Sequence, residues 1–488
     1  MTKPSRTHPG VIRGCANATR ILTAAALFFL VFLGPPWPTQ PDDTALARAA
    51  FADDGDNGDD GDSGDDGDDG DDGDDGDDND DDGDDEAASG RDRDSNIFNR
   101  LGIGRPRQPE QETQNRAPQR PERAEREIIA LGLDDAEIAV LTGQGYAVLD
   151  VQDVPAADGS VFRLRTPDGT ALEDARDAVR ALNPQATADF NHYYRSGGDG
   201  LKNAMPEPCD GPACAAAKLI AWPVAPGTAA TCGSDARIGL IDTAINGDHT
   251  AFRGSRLELI DLVDDARGGS GRQHGTAVAA ILLGAADSRS PGLLPDATVI
   301  AVDAFHRGAG RDERSDVYTL VRAMDLLAGR GVSVVNFSLA GPPNALLETM
   351  TQRLNERDIV LVAAAGNAGP RAGPVYPAAY PNVIAVTAVD RNKRAYRRAG
   401  RGDHIDLAAP GVAVWTAASI SGARTKTGTS FATPFVTAAV VLAQQTLGLS
   451  GHDAIVAALS AEALDLGDPG RDAVFGAGLV QAGGACPS

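Results

Sequence analysis

The chain has 488 residues, 70 acidic against 44 basic, for a formal charge of −26. That acidity is local: residues 53–86 hold 21 Asp, one Glu and no basic residue, which leaves about −4 for everything else. So small an excess excludes a basic nucleic-acid-binding surface, and a chain of this length should divide into zones, one of them large enough for a proper core.

The N-terminus carries Lys3, Arg6, Arg13 and Arg20, then the apolar run Ile21 to Leu33, three prolines, and Ala45, Ala47 and Ala49 at alternate positions. This is the pattern of an export signal over residues 1–49, with a secreted or periplasmic product. An uncleaved anchor is the alternative and would be the chain's only membrane contact, but the apolar run is short for a span. With Cys15 inside that segment, Cys209, Cys214, Cys232 and Cys486 remain, an even set that allows three pairings in an oxidising compartment. Cys209 and Cys214 are close enough for a local loop, which would leave Cys232 to hold the C-terminus through Cys486.

Residues 50–125 are expected to form a disordered linker. The near-continuous "DDG" repeat has no apolar residue to offset the entropy of ordering and repels itself into an extended spacer. It also lacks the alternating apolar positions of calcium-binding β-helix repeats. A mixed-charge stretch rich in Arg, Gln, Glu and Pro follows, and order is expected from near Glu127.

Residues 126–200 read as a small α+β unit. "REIIALGLDDAEIAVLTGQ" looks partly helical, and "YAVLDVQDV" and "SVFRLRTP" look like strands. "TALEDARDAVRALNP" has Leu172, Ala175, Val179 and Leu182 at helical spacing, with Pro184 stopping it, and "ATADFNHYYR" is a last extended piece. His192, Tyr193 and Tyr194 read as packing at its end.

Residues 213–486 form a larger domain. The apolar strands "ARIGLID", "ATVIAVDAF", "VSVVNFSL", "DIVLVAAAG" and "NVIAVTAVD" alternate with helical stretches, which predicts an α/β fold with a parallel sheet covered by helices on both faces. Ligands on such sheets bind at the carboxyl ends of the strands, and there the chemistry-bearing residues fall. Asp242 ends "IGLID", where it could simply cap a turn. His274, in "SGRQHGTAVAAILLGAAD", opens an apolar helix and could simply end a loop. Asn367 follows the strand "VLVAAAG", and Ser430 opens another apolar helix, where an N-cap is the ordinary role for serine. A helix N-terminus also suits a nucleophile whose attack creates an oxyanion.

Taken in order, "LIDTAI", "HGTAVA", "AAAGN" and "GTSFATPFV" resemble the Asp, His, oxyanion-Asn and Ser motifs of the subtilisin-like serine peptidases, the subtilase family (peptidase S8). "VVNFSLAGP", "YPAAYPNVIAVTAVD" and "LAAPGVAVWTA" extend the resemblance over about residues 235–483. It implies an endopeptidase acting through an acyl-enzyme, with Asp242, His274 and Ser430 as the triad and Asn367 in the oxyanion hole. It further implies that Ser338, Leu339, Ala340 and Gly341 pair with extended polypeptide substrate. His249 falls where the family uses a structural residue and stays outside the site. Thr243 and Ala244 replace the usual Ser-Gly after the Asp, and Ala277 replaces a second His.

Val375 and Ala340 stand where subtilisins commonly keep glycine around the specificity pocket, so the pocket should be shallow and prefer small residues at the cleaved position. Residues 126–200 resemble the family's inhibitory propeptide, which makes the chain's own N-terminal unit a partner and self-processing the expectation, with a cut between about Tyr194 and Cys209. A permanent accessory domain is the alternative. No cofactor is required by the residues named, and calcium is compatible as a structural ion. The competing functional class is a catalytically silent module that keeps the fold for binding or adhesion.

Overall fold

The computed structural model describes residues 120–197, 215–223, 233–263, 267–309 and 312–482. The segment expected to be an export signal, the acidic tract, Cys209, Cys214, Cys232 and Cys486 lie outside these residues. Among the described residues no single helix is long and apolar enough to cross a membrane.

The N-terminal unit runs β1 (Arg123–Leu131), α1 (Asp135–Gly143), β2 (Ala147–Val154), β3 (Gly159–Arg165), α2 (Leu172–Leu182) and β4 (Thr187–Ser196). Its strands pair antiparallel in the order β2-β3-β1-β4. The first strand starts at Arg123, a few residues before Glu127. The stretch read as partly helical is a strand up to Leu131, because both of its edges are taken, by β3 and by β4. The helix begins only after Asp134, which closes a reciprocal capping box with Glu137.

Alternation on β1 splits the unit's loyalties. Ile128 and Ala130 face the unit's own helices with Leu141, Phe162, Leu164 and Val179. Ile129 and Leu131 face the other way, into a core shared with the larger domain.

That domain begins with α3 (Ala215–Leu219) and continues β5 (Arg237–Asp242), β6 (Arg256–Asp261), α4 (Gln273–Leu283), β7 (Thr298–Asp303), β8 (His306–Arg307), β9 (Glu313–Asp316) and α5 (Val317–Gly329). Next come β10 (Val334–Phe337), β11 (Leu339–Ala340), α6 (Ala345–Asn355), β12 (Val360–Ala364), β13 (Val383–Val389) and β14 (Leu407–Pro410). The hairpin β15 (Val414–Ala417) and β16 (Ala423–Lys426) precedes α7 (Thr429–Leu447) and α8 (His452–Glu462).

Seven parallel strands lie in the order β14-β13-β12-β10-β5-β7-β6, the covered parallel sheet expected, with the two edge strands β6 and β14 added to the five predicted. Alternate strand residues feed two cores. Ile238, Leu240, Val299 and Val362 meet α4 and α7 on one face, and Ile241, Ile300, Val335 and Leu361 meet α5 and α6 on the other. After β5 the chain runs through β6 and β7 on one side and then crosses to β10 on the other. The crevice beyond the ends of β5 and β10 is thus the switch point where such sheets bind ligands.

Candidate active site

Asp242 is the last residue of β5 and only 1% exposed. Its Oδ1 accepts from the backbone N–H of Thr243 at 2.7 Å and from His274 Nδ1 at 2.7 Å. A carboxylate only accepts, so the imidazole proton sits on Nδ1; a neutral ring then keeps its lone pair on Nε2, which has no protein partner. His274 is held by the start of α4. There Gly275 N–H donates to Thr243 Oγ1 at 2.9 Å, and Asn246 N–H donates to Thr276 Oγ1 at 2.8 Å. A Cβ at Gly275 would lie 2.3 Å from the Thr243 carbonyl oxygen, so only glycine lets helix and loop approach this closely. Thr243 thus uses its hydroxyl to tie the two motifs together.

Gly428, at φ 151°, turns the chain into α7, whose first residues Thr429 and Ser430 are buried. Ser430 Oγ donates to the Ser338 carbonyl at 3.2 Å, and Ser338 Oγ donates to the Ser430 carbonyl at 2.9 Å. The ring of Phe431, next in sequence, lies 5.2 Å from the His274 ring, so the Ser and His segments are in contact. Asn336 Nδ2 donates to Ser338 Oγ at 2.9 Å and its Oδ1 accepts from Thr437 Oγ1 at 2.9 Å, locking β10 to α7.

Asn367 is oriented by a residue that sequence reasoning overlooked. Its Oδ1 accepts from the Thr429 backbone N–H at 3.0 Å and from Thr429 Oγ1 at 3.2 Å. That fixes the amide, and Nδ2 is left buried without a partner. A Cβ built on Gly197 would lie 2.4 Å from this Nδ2 and 3.4 Å from Ser430 Oγ, so Gly197 stands directly at the site.

Gly197 arrives on β4, which lies as an extra strand between two parts of the larger domain. Ser196 and Arg195 pair antiparallel with Leu339 and Ala340 of β11, and Tyr194 and Tyr193 pair with Ser315 and Asp316 of β9. Of the four residues expected to pair with extended substrate, Leu339 and Ala340 pair with this strand of the chain itself. Ser338 instead offers its carbonyl to Ser430, and Gly341 exchanges both backbone bonds with Tyr376 at 2.9 Å because the chain turns away after Ala340.

Gly341 serves the cleft differently: its missing Cβ would fall 2.4 Å from the Tyr194 ring. Tyr194, read from sequence as strand-end packing, is fully buried and donates its hydroxyl to the Pro342 carbonyl at 2.6 Å. Val375 is partly buried, and its Cγ2 would meet a Cβ at Gly366 at 2.9 Å, beside Asn367. His249 is outside the site; its Nδ1 caps the turn at Ala251 at 3.0 Å.

Behind Asp242, Ser270 Oγ donates to the Asp303 carboxylate at 3.0 Å and accepts from Ala244 N–H at 2.7 Å. Burial pushes the Asp303 carboxyl up to about 7, against the hydrogen bonds from Phe305 and Ser270 that favour its ionised form. Among the described residues no group of three or more His, Cys, Asp or Glu side chains is arranged to hold a metal ion.

A family model described as the subtilase family matches residues 233–478. Thermitase from Thermoactinomyces vulgaris is 33% identical over 42% of this chain and 73% of its own length. Subtilisin BL from Lederbergia lenta is 31% identical over 51% of this chain and 90% of its own. The crystal structure of fervidolysin from Fervidobacterium pennivorans, described as a keratinolytic enzyme related to subtilisin, shares the fold with a TM-score of 0.61 at 20% identity, over 75% of this chain and 62% of that one.

Proposed function

The chain belongs to the subtilase family of serine endopeptidases, and from that footing we propose that it is an exported enzyme that cuts its own N-terminal unit free and then hydrolyses other polypeptides. In the proposed mechanism Ser430 Oγ leaves the Ser338 carbonyl, gives its proton to His274 Nε2 and attacks the peptide carbonyl carbon. Asp242 holds the imidazole and stabilises its cation. Asn367 Nδ2 and the Ser430 backbone N–H hold the oxyanion. His274 then returns the proton to the departing amine, and water, deprotonated by the same imidazole, releases the acyl group from Ser430.

The observation that carries this reading is the delivery of Gly197 to Ser430 Oγ and Asn367 Nδ2 by a strand paired with β11 and β9. A peptide added as a strand to a sheet edge is how a protease presents a bond to its nucleophile. By this register the self-processed bond is Gly197–Gly198. The likeness to fervidolysin over 75% of this chain is consistent with the N-terminal unit being part of the same fold. Val375 crowding Gly366 supports a shallow pocket that takes small residues, glycine among them, at the cleaved position. Rapid cleavage after large aromatic residues in a peptide library would contradict that preference.

Ser430→Ala is expected to abolish both self-processing and casein hydrolysis, a loss of about 10⁴-fold or more in rate. An inactive parent chain that binds a protein partner would favour the silent module instead. N-terminal sequencing of the mature protein tests removal of the unit: a start at Gly198 supports it, and a start before Arg126 rules it out.

A further inference from the structure

In the strand that occupies the cleft, Arg195 is the third residue before the bond read above as the processing site. Its guanidinium meets the Asp312 carboxylate with two hydrogen bonds, Nε to Oδ1 at 2.7 Å and Nη2 to Oδ2 at 3.0 Å. Such a fork fits a planar guanidinium and carboxylate, and the carboxylate here is only 6% exposed. Arg195 also donates from Nη2 to the Pro121 carbonyl at 2.8 Å, a contact within the N-terminal unit, and Asp312 has a longer contact with Arg314 at 3.3 Å.

The acceptor belongs to the enzyme side of the cleft. Asp312 precedes β9, whose Ser315 and Asp316 pair with the cleft strand, and its carbonyl accepts from Gly308 N–H at 2.6 Å. The Arg195 guanidinium holds the Asp312 carboxyl below its usual range, against the opposing effect of burial. On the preceding strand residue, the buried Tyr194 hydroxyl reaches the Pro342 carbonyl. Two neighbouring side chains of the strand are thus each received by a fitted group of the larger domain.

We propose that Asp312 is a specificity-determining residue that selects polypeptides with a basic side chain, arginine above all, at the third residue before the cut bond. Once the N-terminal unit has left, Asp312 remains beside the strand-binding edge with Arg314 as its ion-pair partner, and an incoming arginine restores the fork. The preferred substrate class is then an extended segment with an aromatic residue, an arginine and a small residue at the cleaved position, the pattern of Tyr194, Arg195 and Gly197. This rests on the peptidase reading above and adds a substrate class to it.

The test gives the processed enzyme three peptides, Tyr-Arg-Ser-Gly, Tyr-Gln-Ser-Gly and Tyr-Glu-Ser-Gly, each continued by the same four residues, and reads kcat/KM. The arginine peptide is expected to lead the glutamine peptide by about tenfold, as for charge-assisted hydrogen bonds to a partly buried partner, and the glutamate peptide by more. In Asp312→Asn the Arg-to-Gln ratio should fall near one, and in Asp312→Arg the order should reverse toward glutamate. Equal hydrolysis of the three by the parent enzyme, or a preference for arginine that survives Asp312→Asn, overturns the specificity and leaves the peptidase reading intact. Hydrolysis of none of them overturns the peptidase reading and the specificity with it. The parent enzyme's own Arg-to-Gln ratio decides even where a variant fails to fold.

Discussion

Strand β12 is buried at each of its five positions and β13 at each of its seven, whereas β2 buries one residue of eight. The parallel sheet is closed by helices on both faces and holds its shape from within. The sheet of the N-terminal unit covers one face with its own two helices and rests the other against α5 and α6. Polar ties follow the same division: Asp189 Oδ2 accepts from Ala345 N–H at 2.9 Å, capping α6 from β4, and Asp325 of α5 accepts from Ala156 N–H at 2.7 Å. A unit whose second apolar face rests on a neighbour should be less stable once released, as the proposed removal of this unit would make it.

The sharpest way to break this contrast is at a point beside the site where backbone atoms leave no room for a side chain. Gly275→Ala forces a Cβ to within 2.3 Å of the Thr243 carbonyl and 2.8 Å of the Ala244 carbonyl, both backbone atoms. The start of α4 must then move away from the loop after β5, and the 2.7 Å contact between His274 and Asp242 moves with it. A misplacement of about 1 Å in a catalytic constellation costs on the order of 10²-fold, so kcat should fall at least that far while the far-ultraviolet circular dichroism stays close to the parent's. Unchanged kcat would mean that the two motifs are less rigidly joined than the packing shows.

A finer distinction comes from two adjacent residues of β1, both fully buried, that face opposite ways. Ile128→Ala removes packing from the unit's own core and Ile129→Ala from the shared one, each at a cost of about 2 to 5 kcal/mol. In a Ser430→Ala background, both should hasten limited proteolysis of residues 120–197. Once that unit is cut away, neither should alter the melting temperature of the remaining domain. Ile128→Ala should unfold the unit itself, whereas Ile129→Ala should leave it folded but poorly docked, seen as a lost affinity for the larger domain added back. Identical behaviour of the two would erase the division between an owned and a borrowed core.

The same contrast explains what could be read from the chain alone. Near-continuous runs such as "VLVAAAG" and "NVIAVTAVD" announce a strand buried on both faces, and Asp242, Asn367 and Ser430 are conspicuous because each is a polar residue at the end of an apolar element. The half-buried pieces were harder to read. Residues 126–131 have a short apolar run that suits helix or strand equally, and β6 alternates weakly at an edge of the sheet. Tyr194 reads from the chain only as packing at a strand end, because its burial depends on a surface more than a hundred residues away, at Gly341 and Pro342. Thr429 and Asp312 escaped for the same reason: their work lies in partners that only the folded chain brings near.

The smallest expected effect separates the two regions by charge. Asp242 and Asp303, at strand ends of the parallel sheet, are packed under other groups, whereas in the N-terminal unit Asp150, Asp153 and Glu173 stand exposed. Burial raises the Asp303 carboxyl from 3.8 to about 7. Between those values the folded protein holds a proton that the unfolded chain has released. Stability from this group is therefore complete below the lower value and is lost as pH rises toward the upper one. Asp303→Asn keeps an acceptor for Ser270 Oγ and for the Phe305 N–H while removing the titration. The melting temperature of the variant relative to the parent should rise across that interval and level off above it, by a few degrees at most. A difference that stays flat with pH would show that the Asp303 carboxyl is ionised throughout, held so by Ser270 and Phe305 in spite of its burial.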